Sequence, residues 1–156
     1  MSARVKISQI IDGMESQSDE SSTYLNKNTG ELVLVGYEEM SAAEDDEPLD
    51  DYPDWQQDIV KAAKDIENKT GQYIQLPSKF DIHEYRIMED FCLSVEDEKI
   101  REILCTLIKG GGAFGRFKDA IHQYNIADDW YQFRNEAFKE IAVDWCREND
   151  IEFDET

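Results

Sequence analysis

Residues 22–37, STYLNKNTGELVLVGY, constrain the fold more than any other stretch. Two β-prone runs, 23–26 and 31–37, flank Lys27-Asn28-Thr29-Gly30, and Gly30 suits the left-handed residue of a hairpin loop. Ahead of the hairpin, Ile7, Ile10, Ile11 and Met14 recur at helical spacing, which predicts a short amphipathic helix over 7–15. Behind it, Pro53 opens a helix through about Asn68 with Ile59, Val60, Ala63 and Ile66 inward. A short strand over 73–76 is closed by Pro77, and a helix follows over 81–93. Ser94 and Asp97 have capping-box spacing ahead of a helix over 95–109 that carries Ile100, Ile103, Leu104 and Leu107. The sum is an α+β fold in one domain over 1–156: an N-terminal helix and β-hairpin with a small sheet, then a mainly helical C-terminal half.

Charge narrows the partners. The 156 residues carry a formal charge of −20, which repels nucleic acid and anionic membranes and favours a basic partner or plain solubility. Residues 38–54 hold nine acids and no base. With two prolines and little apolar content, the stretch to Asp54 reads as a mobile acidic loop over about 38–52. An acidic tail over 148–156 follows the last helix. Residues 109–134 run the other way, with Lys109, Arg116, Lys118 and Arg134 against three aspartates. An anionic ligand would bind there.

Cys92, Cys105 and Cys146 are odd in number, far apart and set in apolar surroundings, the pattern of free thiols in a reducing compartment. No C-x-x-C or H-x-x-x-H spacing suggests a metal, and no cofactor motif is complete. The first residues lack an apolar signal core, and no segment approaches the ~20 apolar residues that span a bilayer. A cytoplasmic protein without a membrane partner is expected.

The stretch Gly110-x-Gly112-x-x-Gly115 has the spacing of a dinucleotide fingerprint. That fingerprint works when a strand delivers the chain into the glycine turn and a phosphate sits on the next helix. Here IREILCTLIK precedes it with helical periodicity, and Arg116-Phe117 stands where a phosphate loop needs Lys and Ser or Thr. The spacing predicts a helix ending near Lys109, a left-handed glycine and a new helix near Ala113. Arg116 and Lys118 flank the apolar stripe of that helix, each placed either to reach an anion or to pair with an acid.

The segments YLNKNTGELVLV, EYRIMEDF, GGGAFGRFKDAI and DWYQFRNEAFKEIAVDWC, taken together, resemble a family of bacterial proteins of unassigned function. The resemblance covers nearly the whole chain. Gly115 departs from the family pattern, which has a basic residue there, so the third glycine of the apparent fingerprint is incidental. No activity, cofactor or catalytic residue comes with the resemblance.

Three functions fit these residues. The first is a non-enzymatic interaction or regulatory protein of the bacterial cytosol, with the acidic loop and tail meeting a basic protein. The second is an enzyme or binding domain for a phosphorylated or otherwise anionic small molecule, using Arg116, Lys118 and Arg134. His83, beside Glu84 and near Asp90, is the nearest approach to acid–base machinery. The third, nucleic-acid binding through the aromatic and basic residues of 114–134, ranks last, because Phe114, Phe117, Trp130 and Phe133 follow core spacing and the net charge opposes it. Two charges also fall inside apolar stripes: Arg134 among Trp130, Ala137, Phe138, Ile141 and Trp145, and Glu89 among Ile82, Tyr85, Cys92 and Leu93. Either Glu89 and Arg134 meet across a helix interface, or each reaches solvent along the rim.

Overall fold

A computed structural model describes residues 4–69 and 71–155. In chain order its elements are β1 (Val5–Lys6), α1 (Ile7–Ser16), β2 (Ser21–Asn26), β3 (Leu32–Gly36), α2 (Tyr37–Glu44), a 3-10 turn (Leu49–Asp51), α3 (Asp54–Glu67), β4 (Tyr73–Gln75), α4 (Lys79–Ile82), α5 (Glu84–Ser94), α6 (Glu98–Leu107), α7 (Ala113–Gln123), α8 (Ala127–Glu148) and β5 (Phe153–Asp154). This is the α+β composition the sequence implies. The described residues gather into two compact units: one holds the chain up to Ile82 and again from Ile141, the other is His83–Glu140.

The first unit is built on the hairpin. β2 pairs antiparallel with β3 on one side and with β4 on the other, giving the order β3-β2-β4. Asn26 closes the turn: its backbone carbonyl accepts from Gly30 (2.8 Å) and its side-chain oxygen from the Asn28 amide (2.9 Å). Helix α1 buries Ile7, Ile10 and Met14, as its periodicity requires. It approaches the sheet at Gly13, where a Cβ would stand 2.8 Å from Leu76 Cδ2 and 3.2 Å from Leu32 and Thr23. The Thr23 hydroxyl uses that closeness to donate to the Gly13 carbonyl at 2.8 Å. Gln17, buried at the end of α1, accepts from the Thr23 amide (3.0 Å) and donates to the Pro77 carbonyl (2.8 Å). One buried amide thereby satisfies two backbone groups that no ladder reaches.

The stretch expected to be a mobile loop is folded over much of its length. Tyr37–Glu44 is a helix with Ala42 and Ala43 buried. Ala43 packs with Val35 and Ala63, and Met40, Ile59 and Ile66 close around them. The prolines that suggested irregular structure, Pro48 and Pro53, both lie beyond the helix end. The signal overlooked was small: two alanines and a methionine let α2 lie against α3 despite the acids around them. Asp46, in a left-handed conformation (φ 49), ends α2 with Asp46 N–H donating to the Ala43 carbonyl and Glu47 N–H to the Ala42 carbonyl. Lys64 of α3 donates to the Glu47 carbonyl and lies 3.5 Å from the Asp46 carboxylate, and the Tyr52 hydroxyl donates to the Glu47 carboxylate.

The acidic tail is also anchored. Ile151 is buried, and its amide donates to the Cys146 carbonyl at 2.8 Å. β5 then pairs parallel with β1, with Val5 opposite Phe153 and Lys6 opposite Asp154, and Arg4 Nε lies 2.6 Å from Asp154 Oδ1. Two-residue strands leave no periodicity to read, so neither was foreseen. Thr156, the end of the expected tail, lies outside the described residues.

In the second unit, the core is a set of edge-to-face rings: Phe91 against Phe117 (6.0 Å), Trp130 (5.4 Å) and Phe133 (5.5 Å), with Phe117 on Trp130 at 4.9 Å. These are the contacts that aromatic quadrupoles favour. The helix expected over 81–93 is interrupted, because His83 sits in the left-handed region (φ 53, ψ 61) between α4 and α5. The capping expectation was displaced by three residues. The Ser94 hydroxyl donates to the Phe91 carbonyl within the last turn of α5, and Asp97 caps α6 by accepting from the Ile100 amide at 3.1 Å.

Candidate functional site

The glycine connector is a helix C-terminus with its carbonyls capped by side chains. α6 ends at Leu107, and Gly110 (φ 83) and Gly112 (φ 77) turn the chain into α7 at Ala113. A helix end leaves carbonyls without intrahelical donors. Arg116 supplies the donors: Nε to Leu107 O at 2.8 Å, Nη2 to Lys109 O at 2.8 Å and Nη1 to Gly111 O at 2.6 Å. The Tyr85 hydroxyl adds Ile108 O at 2.7 Å. A phosphate cradle gathers amide N–H groups around an anion. This turn gathers carbonyls around a cation, and the cation is already in the chain.

The other sequence-derived residues fall in different places. Lys118 is exposed on α7. Arg134 lies on the buried stripe of α8 as projected, its guanidinium 4.1 Å over the Phe138 ring and Nη2 2.8 Å from Glu84 Oε1. Of the two alternatives, Glu89 takes the solvent-exposed one, and Arg134 pairs across the helices with Glu84 instead. The reason is the phase of α5. Its buried face is Ile87, Met88, Phe91 and Cys92, whereas Tyr85 and Leu93, used to set the stripe, are 43% and 60% exposed. Glu84 stands one turn before Met88 on that face, while Glu89 is turned out. His83 is exposed at the start of α5, in the same unit as Glu84 and Asp90.

Two of the three thiols are poor nucleophiles. Cys92 and Cys146 are fully buried, and burial pushes them up to about 12 and about 11. The proximity of Cys105 adds to the rise at Cys92. A reactive cysteine needs the opposite setting, accessible and electropositive.

Surface clefts repeat the theme of the whole charge. In the first unit, one cleft of about 570 Å³ sets Asp81, Asp144 and Glu148 around Trp145, and another of about 560 Å³ sets Glu31, Asp58 and Asp65 with Lys61. In the second unit, a groove of about 530 Å³ has Glu96, Asp97 and Asp129 beside Phe91, Ile100 and Phe133. Three carboxylates line each, and Lys61 is the single Lys or Arg side chain among their lining residues. In the first unit, Trp55 stands 70% exposed at the start of α3, directly after the acids of 38–54. Neither the acid lining of the clefts nor the exposure of Trp55 was legible from spacing, because each depends on which side of an element faces solvent.

Residues 3–155 match the model of an uncharacterised protein family, UPF0158. A UPF0158 protein of Pseudomonas aeruginosa is 25% identical over 130 residues, covering 83% of this chain and 73% of its own length. No solved structure matches. No helix among the described residues is long and apolar enough to cross a membrane.

Proposed function

Since the chain belongs to the uncharacterised family UPF0158, whose description supplies no activity, we propose a function from its own surface: a non-enzymatic interaction protein of the bacterial cytoplasm that binds a basic protein. The observation that carries this reading is the acid lining of three clefts among the described residues, with one lysine beside nine carboxylates. Such clefts repel an anionic substrate and concentrate a cationic one. The basic face that an anionic ligand would need has two of its guanidiniums engaged, Arg116 on three carbonyls and Arg134 on Glu84 and Phe138.

The docking surface proposed is the acidic segment 37–55. Six of its nine acids ride on α2, the 3-10 turn and the start of α3, so a partner meets most of the charges already in place instead of ordering a loose chain. Trp55 supplies an apolar anchor of the kind that dominates interface energetics. A photo-crosslinking residue at position 55, expressed in the native host, tests this. Capture of a protein with strong net positive charge is the expected result. Capture only of acidic proteins or of small molecules overturns it.

A further inference from the structure

We infer that the groove of the second unit is a second docking site, for an amphipathic helical segment of a partner protein that presents aliphatic side chains flanked by Lys or Arg. The inference rests on the reading of the chain as an acidic interaction protein and adds a location and a recognition chemistry to it. The groove is formed by the end of α5, the Val95–Asp97 linker with the first turn of α6, and Ile126 with the first turns of α8. Its floor is carbon: the edge of Phe91 with Val95, Ile100, Ile126 and Phe133, the last four only partly buried. Its rim is exposed and anionic, with Glu96, Asp97 and Asp129.

Charge complementarity selects the occupant. No Lys or Arg lines the groove. Arg101, next to Ile100 in the chain, donates from its guanidinium to the Val95 carbonyl at 3.2 Å. The N-terminal turns of α6 and α8 would bring partial positive charge to the rim, but each starts with acids, Asp97 and Glu98 on one and Asp128 and Asp129 on the other. The C-terminal end of α5 adds partial negative charge beside Ser94. An apolar floor under an anionic rim excludes nucleic acid and anionic lipid alike. It matches the helix-in-groove mode, in which aliphatic anchors at helical spacing fill the floor while flanking cations meet the rim. A volume of about 530 Å³ falls in the range of ~300–1,000 Å³ typical of ligand clefts, room for a few side chains.

The test uses the full chain and a fluorescein-labelled peptide in which Leu recurs at i, i+3, i+4 and i+7 and the remaining positions are Lys. A scrambled peptide of the same composition measures attraction to the −20 charge alone. Binding is read by anisotropy against wild type, Ser94→Trp, which fills the groove from its exposed edge, and Asp129→Arg, which reverses one of the three rim charges. A third variant neutralises Asp45, Asp50, Asp51 and Asp54 to Asn and replaces Trp55 with Ala. Circular dichroism confirms that each variant is folded. The expected result is that the patterned peptide outbinds the scrambled one about tenfold, and that each groove variant removes that advantage. The third variant keeps it. Equal affinity for the two peptides, or an advantage untouched by Ser94→Trp, overturns the groove. An advantage lost in the third variant instead places recognition on the 37–55 surface, which leaves the proposed function standing and removes this inference. A chain that binds neither peptide overturns both.

Discussion

Replacing Arg116 with Ala leaves three carbonyls of the α6–α7 turn without their donors. The site is exposed, so water takes up part of the loss, and the expected destabilisation is about 1–2 kcal/mol by urea titration. Arg116→Lys recovers little of it, because a single ammonium cannot reach three carbonyls in a fork. The Glu84–Arg134 pair is worth less than a buried pair, since the two side chains are 47% and 24% exposed. A double-mutant cycle across it should return a coupling of about 0.5–1 kcal/mol, and Glu89→Gln should change stability by under about 0.5 kcal/mol. Arg134 was legible in the sequence as a charge inside an apolar stripe. Its partner was not, because Tyr85 and Leu93 looked as apolar as Met88 and Phe91, and only packing decides which of two adjacent faces of α5 is buried. Gly13 and Gln17 went unread for a similar reason: what they do depends on how closely α1 approaches the sheet.

At the scale of elements, α2 ties the acidic segment to the fold through Ala43, packed on Val35 and Ala63. Ala43→Asp would place a carboxylate there and should cost about 2–4 kcal/mol, while amides of 37–44 lose hydrogen-exchange protection. The long helices were legible because ten or more residues repeat one period, and the hairpin because two β-prone runs flank a turn that ends in Gly30. α2 was hidden by its acids, and β1 and β5 by their length. The thiols of α5 and α8 make a second prediction. Cys92 and Cys146 ionise in the fold near 12 and 11 against an ordinary 9.0, and Tyr52, bonded to Glu47, near 12 against 10.0. All three are neutral in both states at pH 7. As pH rises past 9 the unfolded chain loses these protons first, so stability should fall from pH 9 until the folded groups ionise near 11 to 12. Melting temperatures between pH 8 and 10.5 read this, and Cys92→Ala with Cys146→Ala should flatten the slope. A thiol reagent should reach Cys92 and Cys146 only after denaturant is added.

Across the whole molecule, a charge of −20 sits on a chain whose acids outnumber its bases by 36 to 16. That imbalance was legible at once, and it ranked nucleic acid and anionic ligands low. What sequence could not show is that six of the nine acids of 38–54 lie in helical turns and that three clefts are lined with the same sign. The direct measurement is capture of partners from native lysate on the immobilised chain, across a salt series. Wild type is compared with the variant neutralised at Asp45, Asp50, Asp51 and Asp54 and carrying Trp55→Ala. A control neutralises Glu102, Asp119, Glu136 and Glu140, the same number of exposed acids, outside both the segment and the three clefts. If the acidic segment is the docking surface, wild type and the control retain the same basic protein, the segment variant releases it, and the wild-type complex weakens steeply as salt screens exposed charges. A partner held equally by all three chains, or one whose binding ignores salt, would contradict the account.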